Sequence, residues 1–177
     1  MKELVLNTGK TLQIRHPLGN DSEHMLEFVK IVGGESNNLT FGAEGISMTI
    51  EQEATFLDGL AASATSTMLI GEIDGEIVAS GSLMSSPRER MKHHAMLGIS
   101  VKKAYWRQGI GQAILLELFS EAIRKGLEII YLEVLSENTG AIALYEKLGF
   151  IACGRYPNKM KVDGVCHTTI LMYKELT

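Results

Sequence analysis

Hydrophobic and polar positions alternate in some segments of the chain and follow a helical period in others. Residues 11–15 alternate and predict a short strand near the start of the fold. Residues 67–73 and 76–84 are also strand-like. Between them stand Asp74 and Gly75, which can take the positive φ angles that a tight turn needs. These two segments therefore predict a β-hairpin.

Further strands are expected in the second half of the chain. Over residues 94–101, alternation places four apolar side chains on one face of a strand. They are Ala95, Leu97, Ile99 and Val101. Residues 129–135 predict a buried strand. Two last strands are expected near residues 150–154 and 167–174, on either side of an irregular segment that contains Asp163 and Gly164.

Four segments have a helical pattern, and one long loop separates the first two. The helices are expected over residues 21–32, 50–62, 109–125 and 139–148. Asn138 is a favourable N-cap for the last helix, and Gly149 stands at its C′ position. Residues 33–45 are rich in Gly, Asn and Ser and predict a loop, long enough to serve as a binding element. The mixture of elements predicts an α/β fold with a mixed sheet and helices on both faces.

Length and composition place the chain among ordinary globular proteins. Its 177 residues fit one domain, 45% of them are hydrophobic and 21% are charged. The net charge is −4, and the densest basic run, residues 87–92, is interrupted by Glu89. Nucleic-acid binding is therefore not expected, because phosphate neutralisation needs a basic surface.

Membrane or secreted proteins and proteins built on a disulfide framework are two further classes that the sequence disfavours. No apolar run approaches the ~18 residues of a membrane span, and no signal-peptide core begins the chain, so we expect a cytoplasmic protein without membrane association. Cys153 and Cys166 do not make a disulfide framework or a C-x-x-C motif. We interpret each cysteine as a small buried hydrophobic residue.

The strongest local signal for chemistry is residues 105–113, between a predicted strand and a long helix. The glycines Gly109 and Gly111 let the backbone approach a ligand closely. The free N–H groups of the first helical turn favour an anion, and Arg107 adds positive charge, which fits a pyrophosphate. A tight strand-to-helix turn would also explain the glycines. Ile114 in place of a third glycine argues against a dinucleotide fingerprint, and the Gly-Lys-Ser/Thr of a P-loop is missing.

A second motif changes this assessment. It consists of Tyr-Leu-Glu-Val at residues 131–134 and Asn-Thr-Gly-Ala-Ile-Ala-Leu-Tyr-Glu-Lys-Leu-Gly-Phe at residues 138–150. With both motifs in this order, the chain resembles the GNAT superfamily of N-acetyltransferases over about residues 96–150. The resemblance implies a mostly antiparallel sheet of about six or seven strands with around four helices. It also implies acetyl-CoA as cosubstrate, bound where two parallel strands, residues 97–101 and 129–135, splay apart, and it requires no metal.

The resemblance implies roles for particular residues. The N–H of Ile99 would polarise the thioester carbonyl, and strand residues including Val101 would bind the pantetheine arm. Asn138 would contact the pantetheine, and Tyr145 would protonate the departing thiolate. The backbone N–H groups that would hold the pyrophosphate belong to Arg107, Gln108, Gly109, Ile110, Gly111 and Gln112. Packing alone could explain Tyr145, and helix capping alone could explain Asn138.

The chain departs from the family pattern at two positions. Trp106 stands where Gln or Arg is common, three residues before the first motif glycine. Ala95 stands where some members carry a catalytic glutamate, so the group that deprotonates the acceptor is not assigned. The candidates are His93, Glu72, Glu133, Glu44 and a chain of water molecules, and each of the four side chains could equally be a solvated surface group.

The function expected from these features is acetyl transfer from acetyl-CoA to a primary amine by direct attack in a ternary complex. The acceptor, a small molecule or a peptide, would enter near residues 33–45 and the second helix. The acceptor's identity and self-association as a homodimer are left open. A non-catalytic acyl-CoA-binding regulator on the same fold is the alternative, and an interaction domain that does not bind CoA is a third reading.

Overall fold

A computed structural model describes residues 2–176, which form one open sheet with helices. The strands are β1 (Lys2–Val5), β2 (Thr11–Arg15), β3 (Thr67–Ile73), β4 (Glu76–Ser85), β5 (His94–Val101), β6 (Ile129–Leu135), β7 (Ile151–Val162) and β8 (Val165–Glu175). The helices are α1 (Ser22–Glu35), α2 (Ile50–Ala62), α3 (Ile110–Arg124) and α4 (Thr139–Lys147), with 3-10 turns at Gly19–Asp21 and Lys103–Tyr105. The eight strands lie in the order β1-β2-β3-β4-β5-β6-β8-β7.

The sheet is mixed and mostly antiparallel, because β5 and β6 are its one parallel pair between residues 2 and 176. That pairing contains only three residue pairs, from His94 with Ile129 to Met96 with Tyr131. Beyond these pairs β5 continues to pair with β4, and β6 with β8. A gap therefore opens in the sheet between residues 97–101 and 132–135.

Helices cover both faces of the sheet, as the sequence predicts. On one face α3 packs so closely on β4 that a Cβ on Gly81 would lie 2.5 Å from Cγ2 of Ile114. α4 belongs to the same buried cluster through Tyr145. On the opposite face, called the α1–α2 face below, Phe28 of α1 and Leu57 of α2 share a second cluster with Ile70 of β3. Side chains of one strand therefore alternate between two separate cores.

Several predicted bounds agree with the structure, and the hairpin at Asp74 and Gly75 has the expected positive φ angles of 54° and 81°. The loop predicted from residue 33 begins later, because α1 continues to Glu35. Gly33 lies within the helix, and the loop passes directly over it. A Cβ at this position would lie 2.1 Å from the carbonyl oxygen of Gly42. This glycine permits a close contact and does not end the helix.

The C-terminal part of the sheet differs most from the prediction. The segment predicted to be irregular continues the two strands, which meet at a tight turn formed by Asp163 and Gly164 with φ angles of 48° and 80°. The prediction that both cysteines are buried was wrong. Cys153 is exposed because β7 is the outer strand of the sheet and most of its side chains face solvent. Cys166 is exposed at the start of β8, beside the tight turn that joins it to β7. No helix between residues 2 and 176 is both long and apolar enough to cross a membrane.

Candidate functional site

The edge of β5 that faces the gap carries backbone groups that β4 does not use. The amide of Lys102 donates a 2.9 Å hydrogen bond to the carbonyl oxygen of Val78. In an antiparallel ladder such bonds recur at every second residue, so the N–H groups of Leu97, Ile99 and Val101 point away from β4. The amide of Leu97 is still used by β6, because the parallel pair of Met96 with Tyr131 directs it to the carbonyl oxygen of Tyr131. Beyond that pair the strands no longer pair, so the two outward amides of Ile99 and Val101 point into the gap.

The start of α3 presents further unpaired amides close to the end of β5. Gly109 precedes the helix with a φ of 82°, a conformation that glycine adopts without strain. The amide of Ala113 donates to the carbonyl of Gly109 at 3.0 Å, which is the first bond of the helix. The N–H groups of Ile110, Gly111 and Gln112 therefore lack intrahelical partners and lie at the positive end of the helix dipole. This is an anion site built from backbone.

Side chains around this helix start keep the amides accessible. A Cβ on Gly111 would lie 3.7 Å from Leu144 and 3.8 Å from Val101, so α3, α4 and β5 converge there. Arg107 is exposed and takes a positive φ of 61°. Gln108 turns away from the helix, because its side-chain Nε2 donates to the carbonyl oxygen of Ala104 at 3.1 Å. The backbone of residues 107–112 is therefore the surface offered to a ligand.

α4 begins beside the carboxyl end of β6 and brings Asn138 to the far side of the gap. The Oδ1 atom of Asn138 accepts a 3.2 Å hydrogen bond from the amide of Ala141, so the residue caps α4 as its sequence position predicts. The side-chain Nδ2 takes no part in this cap. Asn138 can therefore cap the helix and still offer a donor to a ligand.

Tyr145 lies two turns further along α4 and is buried, with 8% of its surface exposed. Its ring packs edge-on against Phe150, with 5.7 Å between ring centroids. Burial raises the pKa of Tyr145 to about 12. Donation of its proton to a thiolate with a pKa near 8.5 is then uphill by about 5 kcal/mol, more than for an ordinary tyrosine.

Two of the acid–base candidates, His93 and Glu72, lie away from the gap, and a third, Glu44, is in the long loop. His93 precedes β5, and six residues at about 3.3 Å each place it about 20 Å from Ile99 along the strand. Glu72 accepts a 2.5 Å hydrogen bond from Nε of Arg15, which neutralises its charge. Glu44 is exposed in the loop, and a hydrogen bond from the amide of Gly42 holds the pKa of its carboxyl below the usual value.

The fourth candidate, Glu133, lies at the gap. It follows the last parallel pair on β6, and its buried neighbours Leu132 and Val134 point to the α3 side. Glu133 is therefore exposed on the α1–α2 face, where its Oε2 accepts a 3.3 Å hydrogen bond from Oγ1 of Thr169. By contrast, Ala95 faces α3 and is fully buried, so even a glutamate there would point away from the α1–α2 face.

One acidic residue that the sequence reading missed is Glu53 on α2. Only 2% of its surface is exposed, and its Oε2 is enclosed without a hydrogen-bond partner. A signal for it exists, because Glu53 stands four residues before Leu57 and seven before Leu60, on the apolar stripe of its helix. Between residues 2 and 176, no group of three or more His, Cys, Asp or Glu side chains could hold a metal ion.

Comparison with known proteins assigns this arrangement to a family. Residues 39–150 match the family model described as the acetyltransferase (GNAT) family. An N-alpha-acetyltransferase of Sulfurisphaera tokodaii is 30% identical over 153 residues, which cover 80% of this chain and 81% of that protein. The [ribosomal protein bS18]-alanine N-acetyltransferase of Escherichia coli K12 is 46% identical over 55 residues. That match spans 31% of this chain and only about a third, 37%, of the relative.

Solved structures agree with this assignment. A GNAT-family acetyltransferase from Streptococcus pneumoniae superposes with a TM-score of 0.90 at 28% identity, covering 93% of this chain and 99% of the other. The acetyltransferase yncA of Salmonella typhimurium, solved with acetyl-CoA, shares the fold at 17% identity, with a TM-score of 0.82 over 94% of each chain. The chain described here belongs to the GNAT family of acetyltransferases.

Proposed function

We propose that residues 1–177 form a single acetyl-CoA-dependent N-acetyltransferase domain that transfers an acetyl group to a primary amine by direct attack in a ternary complex. One observation carries the proposal: the gap beside β5 leads to the unpaired amides at the start of α3. An elongated donor with an acyl carbonyl at one end and a pyrophosphate at the other fits this arrangement. The Salmonella protein of the same fold binds acetyl-CoA.

The donor is held mainly by backbone in this proposal. The N–H groups of residues 107–112 bind the pyrophosphate, and the guanidinium of Arg107 adds a formal positive charge. The outward amide of Val101 binds the pantetheine arm along β5, with the Nδ2 of Asn138 on the opposite side. Backbone amides suit this task because they are fixed before the ligand arrives and need no side-chain ordering.

The acyl group lies at Ile99, whose amide points into the gap. Attack of the amine nitrogen on the acetyl carbon forms a tetrahedral intermediate, and the Ile99 N–H stabilises its oxyanion. Collapse then breaks the C–S bond and leaves the amide product. The ammonium form of the acceptor loses two protons overall: one leaves before attack, and loss of the second balances protonation of the CoA sulfur.

Tyr145 delivers the proton to the departing sulfur in this scheme. Its high pKa makes full proton transfer costly, so we propose that its hydroxyl stabilises the thiolate by hydrogen bonding as the C–S bond breaks. The second proton lost by the amine balances the proton that the sulfur gains, so any proton given by Tyr145 is replaced and its phenol is restored.

Glu133 is the base that the geometry favours among the four candidate side chains. It is the one of the four that lies on a strand bordering the gap, and its carboxylate is accessible from the α1–α2 face. An acceptor that enters from this face meets Glu133 before it reaches the acyl group. The exposed carboxylate can take the proton and pass it to solvent.

The acceptor is a primary amine on a peptide or a small molecule. Two relatives are named for acetylation of protein α-amines, one of them the alanine of ribosomal protein bS18. Short peptides with an N-terminal alanine are therefore the first acceptors to test.

Thermal unfolding with acetyl-CoA, free CoA or NAD tests the donor site. A ligand at a hundredfold excess over Kd stabilises the native state by about 2.7 kcal/mol, which appears as a shift of several degrees. We expect a shift with both CoA species, none with NAD, and amine-dependent release of free thiol. Absence of a CoA shift would overturn the proposal, and a shift without thiol release from any amine would support a non-catalytic regulator.

A further inference from the structure

Glu53 is a carboxylate that the fold buries without a partner. It is 2% exposed, and between residues 2 and 176 its Oε2 is the one enclosed side-chain oxygen or nitrogen that lacks a hydrogen bond. Burial raises the pKa of Glu53, and no charged neighbour contributes to the shift. Such an arrangement costs free energy, and proteins pair buried carboxylates with a cation or a hydrogen-bond donor. The missing partner is therefore a hydrogen-bond donor, and a positively charged donor is favoured.

The first turn of α2 holds Glu53 in this inward position. The Oγ1 of Thr49 accepts a 3.2 Å hydrogen bond from the amide of Gln52, and Oε1 of Gln52 accepts a 2.9 Å bond from the amide of Thr49. This reciprocal cap fixes the start of the helix. Glu53 then lies one turn before Leu57 on the same side of α2 and points into the α1–α2 core. The inward direction is thus set by the helix and is not a chance rotamer at the surface.

Small residues lie between this core and the gap. Because Gly81 faces α3, its neighbours on β4 face the opposite way, and the cross-strand register continues this surface onto β5. The four residues are Ser80, Ser82, Gly98 and Ser100. Ser80 is also the cross-strand partner of Ile70, which belongs to the same buried cluster as Leu57. Over these four positions the α1–α2 face of β4 and β5 therefore has a floor without large side chains, which ends at the paired Met84 and Met96.

The same topology gives an approximate separation between Glu53 and the reacting centre. α2 packs on β3, whereas the acyl group would lie at β5, two strands away. Neighbouring strands are about 4.8 Å apart, so the two positions differ by about 10 Å across the sheet alone, and the height of α2 above the sheet adds to this separation. Glu53 is therefore too far from the acyl carbon to act on the reacting nitrogen itself.

We propose that Glu53 is a specificity-determining residue that binds a second, positively charged group of the acceptor, at least about 10 Å from the nitrogen that is acetylated. The inference rests on the proposed acetyl transfer and identifies its substrate class as amines with a second cationic group. Such a cation completes the hydrogen bonding of the buried carboxylate, and the floor formed by Ser80, Ser82, Gly98 and Ser100 leaves room for the chain that joins the two nitrogens.

The test uses linear diamines from 1,3-diaminopropane to 1,10-diaminodecane, each compared with the n-alkylamine of equal carbon number. Thiol release from acetyl-CoA is measured with the full chain, with Glu53→Gln and with Glu51→Gln. Glu51 is the matched control, because it lies in the same helical turn but is exposed. A hydrogen bond to a charged group corresponds to a preference of roughly 10- to 100-fold.

We expect kcat/KM for diamines of intermediate length to exceed that of the matched monoamines by this factor. Glu53→Gln should lose the preference through a higher KM, with kcat and monoamine turnover within about threefold, while Glu51→Gln behaves like the unaltered chain. This split between KM and kcat separates substrate binding from a general loss of folding. A thermal shift with CoA that matches the unaltered chain shows that each variant keeps the donor site.

Four results would overturn the inference, and they differ in what they imply for the proposed function. If the unaltered chain transfers acetyl to both kinds of amine without preference, or if Glu53→Gln keeps the preference, only the role of Glu53 fails. If the unaltered chain shows a CoA shift but acetylates none of the amines and no alanine peptide, the proposed catalytic function fails as well. If CoA gives no shift at all, the donor site itself is wrong.

Discussion

The indole N–H of Trp106 donates a 2.6 Å hydrogen bond to the carbonyl oxygen of Val101. Val101 ends β5 on the side of the gap, and Trp106 begins the segment that leads into α3. The bond ties the strand that would hold the acyl arm to the backbone that would hold the pyrophosphate. A residue that departs from the common family pattern therefore has a definite structural role here.

Replacement of Trp106 by Phe removes this donor and leaves most of the ring. A typical hydrogen bond contributes about 0.5–1.5 kcal/mol, so we expect the Kd for acetyl-CoA to rise by roughly 2- to 12-fold. Titration calorimetry measures the change. Trp106 is the one tryptophan of the chain, so its fluorescence also reports binding in the unaltered protein. An unchanged Kd would mean that the bond does not position the donor site.

Replacement of Tyr145 by Phe should lower kcat and leave the Kd for CoA within about threefold, because the ring packing against Phe150 is kept. Since burial raises the pKa of Tyr145 to about 12, the hydroxyl stays protonated throughout the usual assay range. A fall of kcat between pH 8 and 10 must therefore come from another group, and the variant should show the same fall. Steady-state kinetics over pH, with acetyl-CoA saturating, would show this. Unchanged turnover in the variant would remove Tyr145 from the mechanism.

Gly111 can be tested with a pair of substitutions. A Cβ there meets Leu144 and Val101 only at ordinary van der Waals distances, so Gly111→Ala should fold normally. Gly111→Phe places a large group over the amides at the start of α3 and should raise the Kd for CoA at least tenfold relative to the alanine variant. Thermal unfolding without ligand controls for stability. Equal CoA affinity in the two variants would contradict the assignment of this helix start as the pyrophosphate site.

A buried ion pair near the start of α1 predicts acid sensitivity. Nη1 and Nη2 of Arg15 donate to the two carboxylate oxygens of Asp21 at 2.7 and 2.8 Å, and this pairing lowers the pKa of Asp21. Its stabilisation is present above the unfolded-state pKa near 4 and is lost as the pH falls through the lower folded-state value. Arg15 keeps its ion pair with Glu72 in the variant, so Asp21→Asn should lower the free energy of unfolding by about 1–3 kcal/mol at pH 7.

Urea unfolding at pH 7 and at pH 3 checks this prediction. The difference in unfolding free energy between the unaltered chain and Asp21→Asn should shrink at the lower pH. At that pH the Asp21 carboxylate of the unaltered chain begins to be protonated in both its unfolded and its folded state. A difference that is independent of pH would show that Asp21 acts through packing alone.

Glu53 predicts a pH dependence of the opposite sign. Burial raises the pKa of its carboxyl, so ionisation destabilises the fold as the pH rises above about 4.5. Glu53→Met removes the unpaired oxygens and should raise the free energy of unfolding by about 1–3 kcal/mol at pH 7, with a smaller gain near pH 4. Glu51→Met, at an exposed position, serves as the control. A destabilised Glu53→Met variant would show that the carboxylate has a partner in the folded protein.

The sequence alone determined the features that depend on neighbouring residues. Alternation over residues 94–101 identified the strand and the face shared by Ala95 and Ile99, and the core on the α3 side respects that alternation. The pair Asp74 and Gly75 specified a tight hairpin. Both motifs were recognisable because the strand-to-helix turn and the capped start of α4 use residues only a few positions apart.

The tertiary structure decided the features that depend on distant residues. β1 was not predicted, because four mostly exposed residues form a strand only by pairing with β2. Glu72 is neutralised by Arg15, 57 positions away, which no local pattern reveals. The two faces of β5 could be separated from its sequence, but which face looks toward α1 and α2 depends on the packing of α3. The gap, the exposure of Glu133 and the unpaired carboxylate of Glu53 likewise arise from strand order and helix packing, since burial and partners are properties of the assembled chain.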